Sequence, residues 1–301
     1  MRSRSQLYVL LASLCFGTTG TAQALGPEGA SPLTVGAVRI AIGAALLLAV
    51  LAAVRGGLPG RRDWIPLLLA GAGVAAYQLC FFSAVRDTGV AVGTVVALGS
   101  APALAGALTW LVDREAPGRG WALATALATV GVAVLVLAGG GSASLSFAGI
   151  LLALGAGASY AVFAIGSKRM LDGGRGIQAV MAWAFTTGAV LLLPILFVAD
   201  IGWLRQPQGL AMALWLGAVP TALAYLLFAA GLRHLAAREV ATLTLAEPVT
   251  ATLLGVAILE ERPELVAVVG MALVVAGLAV LACGAGSSGA STDSTVIAEG
   301  G

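Results

Sequence analysis

The sequence predicts an all-α membrane protein with ten transmembrane helices, arranged as two inverted five-helix repeats. Three observations predict this fold class. Hydrophobic residues make up 59% of the chain and charged residues only 10%, whereas an ordinary soluble domain has about 25% charged residues. The chain divides into ten apolar stretches, each close to the length of about 20 residues that crosses a bilayer. A pattern of Pro, Glu and Gly also recurs 146 positions further along the chain.

The ten apolar stretches occupy nearly the whole chain, which leaves no room for a soluble domain. Every backbone polar group within a bilayer needs an internal partner, so each stretch is expected to form a helix. A transmembrane barrel would instead alternate apolar and polar residues. The predicted spans 1 to 10 cover residues 7–25, 33–54, 64–84, 90–112, 120–138, 147–167, 177–198, 209–230, 238–259 and 264–283.

The repeated residues lie in spans 4 and 9 and just after them. Only 11 of the 301 residues are Pro, so two Pro coincidences at one offset are hard to obtain by chance. With five spans in each half, the two halves have opposite orientations, which is an architecture of secondary transporters whose substrate site lies where the halves meet. The matched pairs are Pro102 and Pro248, Glu115 and Glu261, Pro117 and Pro263, and Gly131 and Gly277.

The distribution of Lys and Arg predicts that both termini are cytoplasmic. With the N-terminus inside, twelve of the 16 basic residues fall on the cytoplasmic side and three fall outside, as the positive-inside rule requires. The remaining one, Arg39, lies within span 2. The protein is therefore expected in the plasma (inner) membrane. Because the basic residues are scattered, they do not indicate nucleic-acid binding. The three outer residues are Arg86, Arg205 and Arg262.

The predicted organisation has four parts. They are a cytoplasmic N-terminus at 1–6, a first repeat at 7–138, a second repeat at 147–283 and a disordered cytoplasmic tail at 284–301. The Gly-Gly-Gly-Ser run at 139–142 is predicted to be a short linker. Arg2, Arg4 and the apolar run that follows them are also typical of a cleavable signal peptide. Its removal would leave nine spans and break the symmetry of five plus five.

Glu247 is the main candidate for function. A charge at the bilayer centre costs about 2.5–3.5 kcal/mol on insertion scales, so it tends to line a cavity or to carry function. Glu247 lies near the middle of span 9, and its counterpart in the first repeat is Ala101. The symmetry of the fold therefore does not require an acid there. Glu247 is predicted to bind a substrate amine or to take up a coupling proton; the alternative is a structural polar joint beside Pro248.

Arg39 is the other charged residue within a predicted span, in the outer part of span 2. Its long stem either snorkels to the outer surface, or its planar guanidinium forms a salt-bridge gate or binds a substrate carboxylate. Whether Arg39 pairs with Glu247 is left open at this point.

Pro102 and Pro248 are predicted to be helix hinges. Each lies inside a span, where it removes one backbone hydrogen bond and kinks the helix; the alternative is a static kink needed for packing. Pro117 and Pro263 are instead predicted to open spans 5 and 10, where the missing N–H costs nothing. Glu115 and Glu261, just before them, favour the positive end of the helix dipole.

Further polar and aromatic residues inside spans are predicted to line a substrate cavity. Hydroxyl groups, amides and indoles at mid-depth suit an amphipathic solute, although single polar residues also bond to their own helix or to a neighbour. The predicted set is Tyr77, Gln78, Tyr160, Trp183 and Tyr225.

Enzyme chemistry, a cofactor and a metal site are not supported. The single His, His234, lies between spans 8 and 9, and the three Cys residues are isolated in apolar runs, so neither a zinc site nor a disulfide framework is indicated. No ATP-binding motif is present either. Transport would therefore have to draw on gradients.

The second half resembles the EamA half-repeat of the drug/metabolite transporter superfamily, and the resemblance extends over residues 7–283. The resemblance implies a ten-helix carrier with a central cavity that moves small metabolites, often outward. It rests on Glu247-Pro248-Val249, Gly255, Glu260-Glu261-Arg262-Pro263, Gly270 and Gly277; on the weaker copy in Ser100-Ala101-Pro102, Glu115-Ala116-Pro117 and Gly131; and on Pro32, Arg39 and the stretch from Gly149 to Tyr160-Ala161.

The predicted function is a secondary transporter that works by alternating access. We expect it to export a small amphipathic metabolite, such as an amino acid or a derivative, by proton exchange. The expected partners are a small-molecule substrate and the lipid bilayer; a homodimer is left open. One alternative is a non-transporting membrane sensor or assembly partner that retains the fold. A membrane-embedded enzyme is a third, which lacks the acid–base residues it would need.

Overall fold

The computed structural model describes residues 2–114, 116–138, 146–260 and 264–287, with side chains described for all of these except 89–91, 112, 113, 138 and 283–287. Within these ranges the regular structure is helical without a strand, and ten helices are long and apolar enough to cross a membrane. The predicted fold class is confirmed. Spans 1 to 10 are Arg2–Ala24, Pro32–Ala53, Arg61–Thr88, Val92–Leu111, Arg119–Leu137, Phe147–Asp172, Ile177–Val198, Pro207–Leu232, Ala237–Ile258 and Leu265–Ala282.

The first and last helices extend beyond their predicted ends. Span 1 begins at Arg2 rather than at residue 7, because its first turn is held by an ion pair between Arg2 and Glu239. The last helix continues through span 10 to Ser287, which includes the first residues of the predicted tail. The remainder of that tail, at 288–301, lies outside the described residues.

Spans 3 and 4 are not separated by the loop that the sequence predicted. One continuous helix runs from Trp64 to Asp113, and it folds back sharply. A Cβ built on Gly93 would lie 3.1 Å from the Cα of Val85, whereas eight residues of straight helix would separate the two by about 12 Å. The chain therefore makes a hairpin between the two spans.

Span 6 packs against both arms of this hairpin. It runs antiparallel to span 3, since Gly166 contacts Ala70 near the start of that span. It runs parallel to span 4, where a Cβ on Gly157 would lie 3.0 Å from the carbonyl oxygen of Ala97. Glycine allows these helices to approach to backbone contact.

Spans 8 and 9 are each interrupted by a short segment of another helix type, and a proline explains both. In span 8 a π-helical segment runs from Ala218 to Leu223. Pro220 within it has no N–H for the carbonyl of Leu216, and the hydroxyl of Thr221 donates to that carbonyl instead, at 2.8 Å. The sequence pattern did not indicate this segment.

In span 9 a 3₁₀ turn, Thr244–Ala246, separates the helices Ala237–Leu243 and Glu247–Ile258. Pro248 cannot donate to the carbonyl of Thr244, so the N–H of Glu247 donates to it from one residue nearer. A bond between residues three apart is the 3₁₀ pattern. In contrast, the helix that contains Pro102 continues without such a turn.

Spans 5 and 10 demonstrate the inverted relationship of the halves. A Cβ on Gly131 would lie 2.7 Å from the carbonyl oxygen of Gly270, and one on Gly277 would lie 2.7 Å from that of Ala124. Gly270 and Ala124 are themselves 146 positions apart, so the same contact is made from both sides. The two spans cross antiparallel, as they must if the halves have opposite orientations.

Spans 2 and 7 form a second antiparallel pair. The indole of Trp183 donates to the carbonyl of Gly57 at one end, at 3.4 Å, and the indole of Trp203 donates to the hydroxyl of Thr34 at the other, at 3.1 Å. The pseudo-twofold axis therefore passes between these spans as well.

The structure modifies one prediction about capping. Span 5 begins at Arg119, so Pro117 lies two residues before the helix and does not open it. The residues Glu115, Glu261 and Pro263 and the predicted linker at 139–142 lie outside the described residues.

Candidate functional site

A cavity of about 350 Å³ lies between the two halves. Its walls come from spans 1, 2, 3 and 4 of the first half and from spans 6, 8 and 9 of the second. None of the described residues of spans 5, 7 and 10 lines it. The cavity lies where the sequence predicted a substrate site.

The cavity extends from mid-depth to one end of the bundle. Gln23 at the end of span 1, Pro32 at the start of span 2 and Val85 at the end of span 3 line its upper part. Tyr160, from the middle of span 6, lines its floor. If the termini are cytoplasmic, this end is the outer one.

The opposite end of the bundle is closed by contacts to the first segment of span 9. Spans 1 and 5 of the first half and span 6 of the second hold this segment and the connection before it, so the cavity has a floor. The contacts are the ion pair of Arg2 with Glu239, and hydrogen bonds from Ser13 to the carbonyl of Leu243, from Trp121 to that of Arg238, from Lys168 to that of Arg233, and between the hydroxyls of Thr125 and Thr242.

Glu247 lines the cavity at the point where span 9 resumes as an α-helix. The turn before it is fixed by a hydrogen bond between the hydroxyls of Tyr160 and Thr244, at 3.3 Å, and Thr244 also donates to the carbonyl of Ala241. Among the described residues of the cavity wall, Glu247 is the one acid, and the interruption places it beside a turn that is hydrogen-bonded to span 6.

Arg39 lines the same cavity from span 2. Glu247 lines it from span 9, and among the described residues no salt bridge within 4.0 Å joins the two side chains. A ligand that carries both an anionic and a cationic group would therefore find complementary charges without breaking an existing pair.

Gln78 lines the cavity from span 3 and is 3% exposed. Its Oε1 sits where Gly36 leaves room, 3.0 Å from the position that a Cβ on Gly36 would take. Within the described part of the chain, this Oε1 and the Nε of Arg39 are buried without a hydrogen-bond partner. Because buried polar atoms are nearly always hydrogen-bonded, an unpaired acceptor and an unpaired donor at one cavity wall point to a polar ligand or to bound water.

The phenol rings of Tyr77, Tyr160 and Tyr225 also face the cavity. Tyr225 packs in an aromatic cluster, with its ring centroid 5.0 Å from that of Phe16 and 4.4 Å from that of Phe185. It follows directly on the π-helical segment of span 8, and such segments occur frequently at functional sites. Tyr77 stacks on Phe81 with parallel planes, at 5.5 Å.

The structure brings together six of the seven predicted binding residues: Arg39, Tyr77, Gln78, Tyr160, Tyr225 and Glu247 all line the cavity. It does not bring Trp183 to it. Trp183 is on span 7, away from the cavity, and its indole binds the backbone of Gly57. Of the predicted hinges, Pro248 borders the interruption of span 9, whereas Pro102 lies in an uninterrupted helix.

The apolar part of the wall was not predicted from the sequence. It includes Phe16, Phe81, Phe82, Leu98, Ala101 and Phe163. Apolar side chains are present on every face of a membrane helix, so their pattern along the chain does not distinguish a cavity from lipid. The only available signal was the position of Ala101, the repeat counterpart of Glu247. Among the described residues, no group of three or more His, Cys, Asp and Glu side chains is placed to hold a metal ion.

Comparisons with known proteins agree with this architecture. The model of the EamA-like transporter family matches residues 3–137 and 147–283, one match in each half. The Bacillus subtilis (strain 168) protein named "Uncharacterized transporter YwfM" is 42% identical over 275 residues, which are 91% of this chain and 92% of that protein. A solved structure described as "Crystal structure of protein" is similar in fold, with a TM-score of 0.81 at 23% identity over 94% of this chain and 99% of that one.

These matches cover both repeats and leave only the chain ends and the connection between the halves unmatched. The protein is therefore an integral membrane transporter and belongs to the EamA-like transporter family, within the drug/metabolite transporter superfamily.

Proposed function

We propose that this transporter exports small amphipathic metabolites that carry an amino group, such as amino acids or their derivatives, by alternating access and in exchange for protons. The proposal rests chiefly on one observation: a cavity between two inverted halves contains one acid, Glu247, and one base, Arg39, that are not paired with each other. An ammonium group would bind at Glu247 and an anionic or acceptor group at Arg39. The aromatic rings would contact the apolar part.

The unpaired atoms on the Arg39 wall support a polar ligand of this kind. The Nε of Arg39 can donate a hydrogen bond and the Oε1 of Gln78 can accept one. Leaving such groups buried without partners costs about 1–3 kcal/mol each, and a ligand with both functions would remove that cost. A purely apolar ligand would not.

Glu247 is also the best candidate for the coupling proton. A carboxylate within the membrane is energetically costly, so its presence there usually reflects a function. In this cavity an amine and a proton would compete for the same carboxylate oxygens. Binding of one would then release the other, which is the requirement for exchange. Outward transport follows if the termini are cytoplasmic and protons enter from the outer side.

Purified protein in liposomes tests this proposal. A panel of amino acids and amino acid amides would be loaded inside, and exchange against labelled substrate outside would be followed with and without a pH gradient. We expect exchange for at least one class of amine, faster when a pH gradient is imposed. Replacement Glu247→Gln should abolish the flux that the pH gradient drives.

Glu264→Gln is the matched control, because it removes the same charge from an exposed position outside the cavity. It should leave transport unchanged. Undiminished gradient-driven flux in Glu247→Gln would remove this residue from the mechanism. If no compound of the panel exchanges in the unmodified protein, a non-transporting role as a sensor or assembly partner becomes the better explanation.

A further inference from the structure

Ala101 occupies the position in the first half that Glu247 occupies in the second. The two residues are 146 positions apart in the sequence, and both line the cavity. Because the pseudo-twofold axis relates them, they face the cavity from opposite sides of that axis. A ligand held at Glu247 by one end therefore extends towards the wall that contains Ala101.

The part of the wall next to Ala101 is mainly apolar. Leu98 lines the cavity one helical turn before Ala101 on span 4, and Phe81 and Val85 line it from span 3, against which span 4 folds back. The rings of Phe81 and Phe82 are in edge contact, with centroids 5.5 Å apart. The wall thus suits an apolar substituent rather than a second charge.

The backbone behind Ala101 cannot move away from the cavity. Span 4 packs on span 6 at Gly157, where an added Cβ would lie 3.0 Å from the carbonyl oxygen of Ala97 and 3.3 Å from the nitrogen of Ala101. Helix backbones already in contact leave no space on that side. Ala101 is itself 6% exposed. A larger side chain at this position must therefore extend into the cavity and reduce its volume.

We propose that Ala101 is a specificity-determining residue: its methyl side chain sets the largest apolar substituent that an amine-bearing substrate can carry. This inference rests on the proposed function, because it assumes that the amine binds at Glu247. The class of substrate is then a primary amine with an aliphatic or aryl substituent, oriented from span 9 towards span 4.

Ligand-induced thermal stabilisation of the purified protein tests the inference without a need for transport, since a ligand that binds the folded state raises its midpoint of unfolding. The probes are glycine, alanine, leucine and phenylalanine, each as the free amino acid and as the amide. In the unmodified protein we expect the shift to increase with the size of the substituent. In Ala101→Leu, binding of the leucine and phenylalanine probes should weaken by about 10-fold or more, as is usual for a misfit of a methylene or larger. Binding of the glycine probes should not change.

Ala103→Leu is the matched control. Ala103 lies two residues further along the same span and is exposed on the outer surface of the bundle, so its replacement should leave all eight affinities unchanged. If Ala101→Leu does not fold, Ala101→Gly gives the opposite test: it enlarges the cavity and should tighten binding of probes larger than phenylalanine, such as tryptophan.

Two failures are distinguishable. If none of the probes shifts the midpoint of the unmodified protein, the proposed amine substrate is wrong and the role of Ala101 is overturned with it. If the probes bind but Ala101→Leu weakens all of them equally, or none of them, the proposed function survives and the size limit at Ala101 is overturned.

Discussion

Arg114 and Glu260, which lie 146 positions apart, both adopt the left-handed backbone conformation, with φ of 58° and 57°. Each follows the end of a span in its own half, so the repeat extends to the conformation of single residues. Neither residue is Gly, although a helix that ends in this conformation usually has Gly there. The two halves therefore share a strained helix end just before the repeated Glu and Pro.

Replacement of either residue by Gly should stabilise the protein. The left-handed conformation destabilises the folded state by about 1–2 kcal/mol for a residue with a Cβ. The greater conformational freedom of Gly in the unfolded chain offsets roughly 0.5–1 kcal/mol of the gain from replacing it. We expect Arg114→Gly and Glu260→Gly each to raise the free energy of unfolding by about 0.5–1 kcal/mol, measured by thermal unfolding in detergent. Arg114→Ala is the control, because it removes the charge and keeps the Cβ; stabilisation by Ala as well would show that charge rather than backbone strain is responsible.

Gln78→Leu should lower the affinity for substrate without lowering the stability of the fold. The Oε1 of Gln78 is buried without a partner, and removal of such a group is neutral or stabilising. If the amide serves the ligand, substrate affinity should fall by about 10-fold, which corresponds to about 1.4 kcal/mol, while the midpoint of unfolding holds or rises. A fall in stability with unchanged affinity would make Gln78 a structural residue.

Trp183→Phe is the complementary variant. The indole lies outside the cavity and donates to the carbonyl of Gly57. Its loss should cost about 0.5–1.5 kcal/mol of stability, as for a typical hydrogen bond, with affinity for substrate unchanged. An altered substrate profile would mean that span 7 reaches the site in another conformation of the cycle.

Pro248→Ala should make the protein more stable and the transporter slower. Alanine supplies an N–H for the carbonyl of Thr244 and so favours an uninterrupted α-helix. Because Pro248 lies in the first turn of its own segment, the gain in stability should stay well below the roughly 3 kcal/mol that Pro costs in a helix interior. If the turn before Glu247 is a hinge, turnover should fall by at least about 10-fold, a barrier increase of about 1.4 kcal/mol. Pro207→Ala changes the first turn of span 8, where no N–H is needed, and should alter neither quantity. Normal turnover in Pro248→Ala would indicate a static kink.

The closed end of the cavity should have to open during transport. Cysteines at Arg2 and Glu239, in a chain from which Cys15, Cys80 and Cys283 have been removed, would allow a reducible bismethanethiosulfonate to join spans 1 and 9. We expect the crosslink to stop exchange and its reduction to restore the original rate. The two single-cysteine variants treated in the same way are the controls. Full exchange by the crosslinked protein would contradict alternating access through this end.

Much of the architecture was predictable because a bilayer imposes strong constraints on sequence. Span length, the inverted repeat and the positions of Arg39 and Glu247 follow from the cost of polar groups in hydrocarbon, which makes each exception informative. Trp183 was predicted to line the cavity but is not among the residues of its wall, because an indole in a span suits a helix–helix contact as well as a ligand.

The interruptions of spans 8 and 9 and the hairpin of spans 3 and 4 depend on local hydrogen bonding that composition does not reveal. Pro220 and Pro248 both lie inside an apolar span, and each leaves one carbonyl without its usual N–H donor. The hydroxyl of Thr221 donates to the carbonyl freed by Pro220, and the backbone N–H of Glu247 donates to the one freed by Pro248. Which solution forms depends on the neighbouring span, since Thr221 packs against Gly43.

The reciprocal contact of Gly131 and Gly277 bears on the energetics of the transport cycle. If the halves exchange conformations during the proposed cycle, a contact that both halves make alike is present before and after, and it favours neither state. Contacts of this kind keep the free-energy difference between the two states small, so that a bias of about 1.4 kcal/mol, which changes their ratio tenfold, has a large effect. Under the proposed function, binding of one substrate or one proton at Glu247 would supply such a bias.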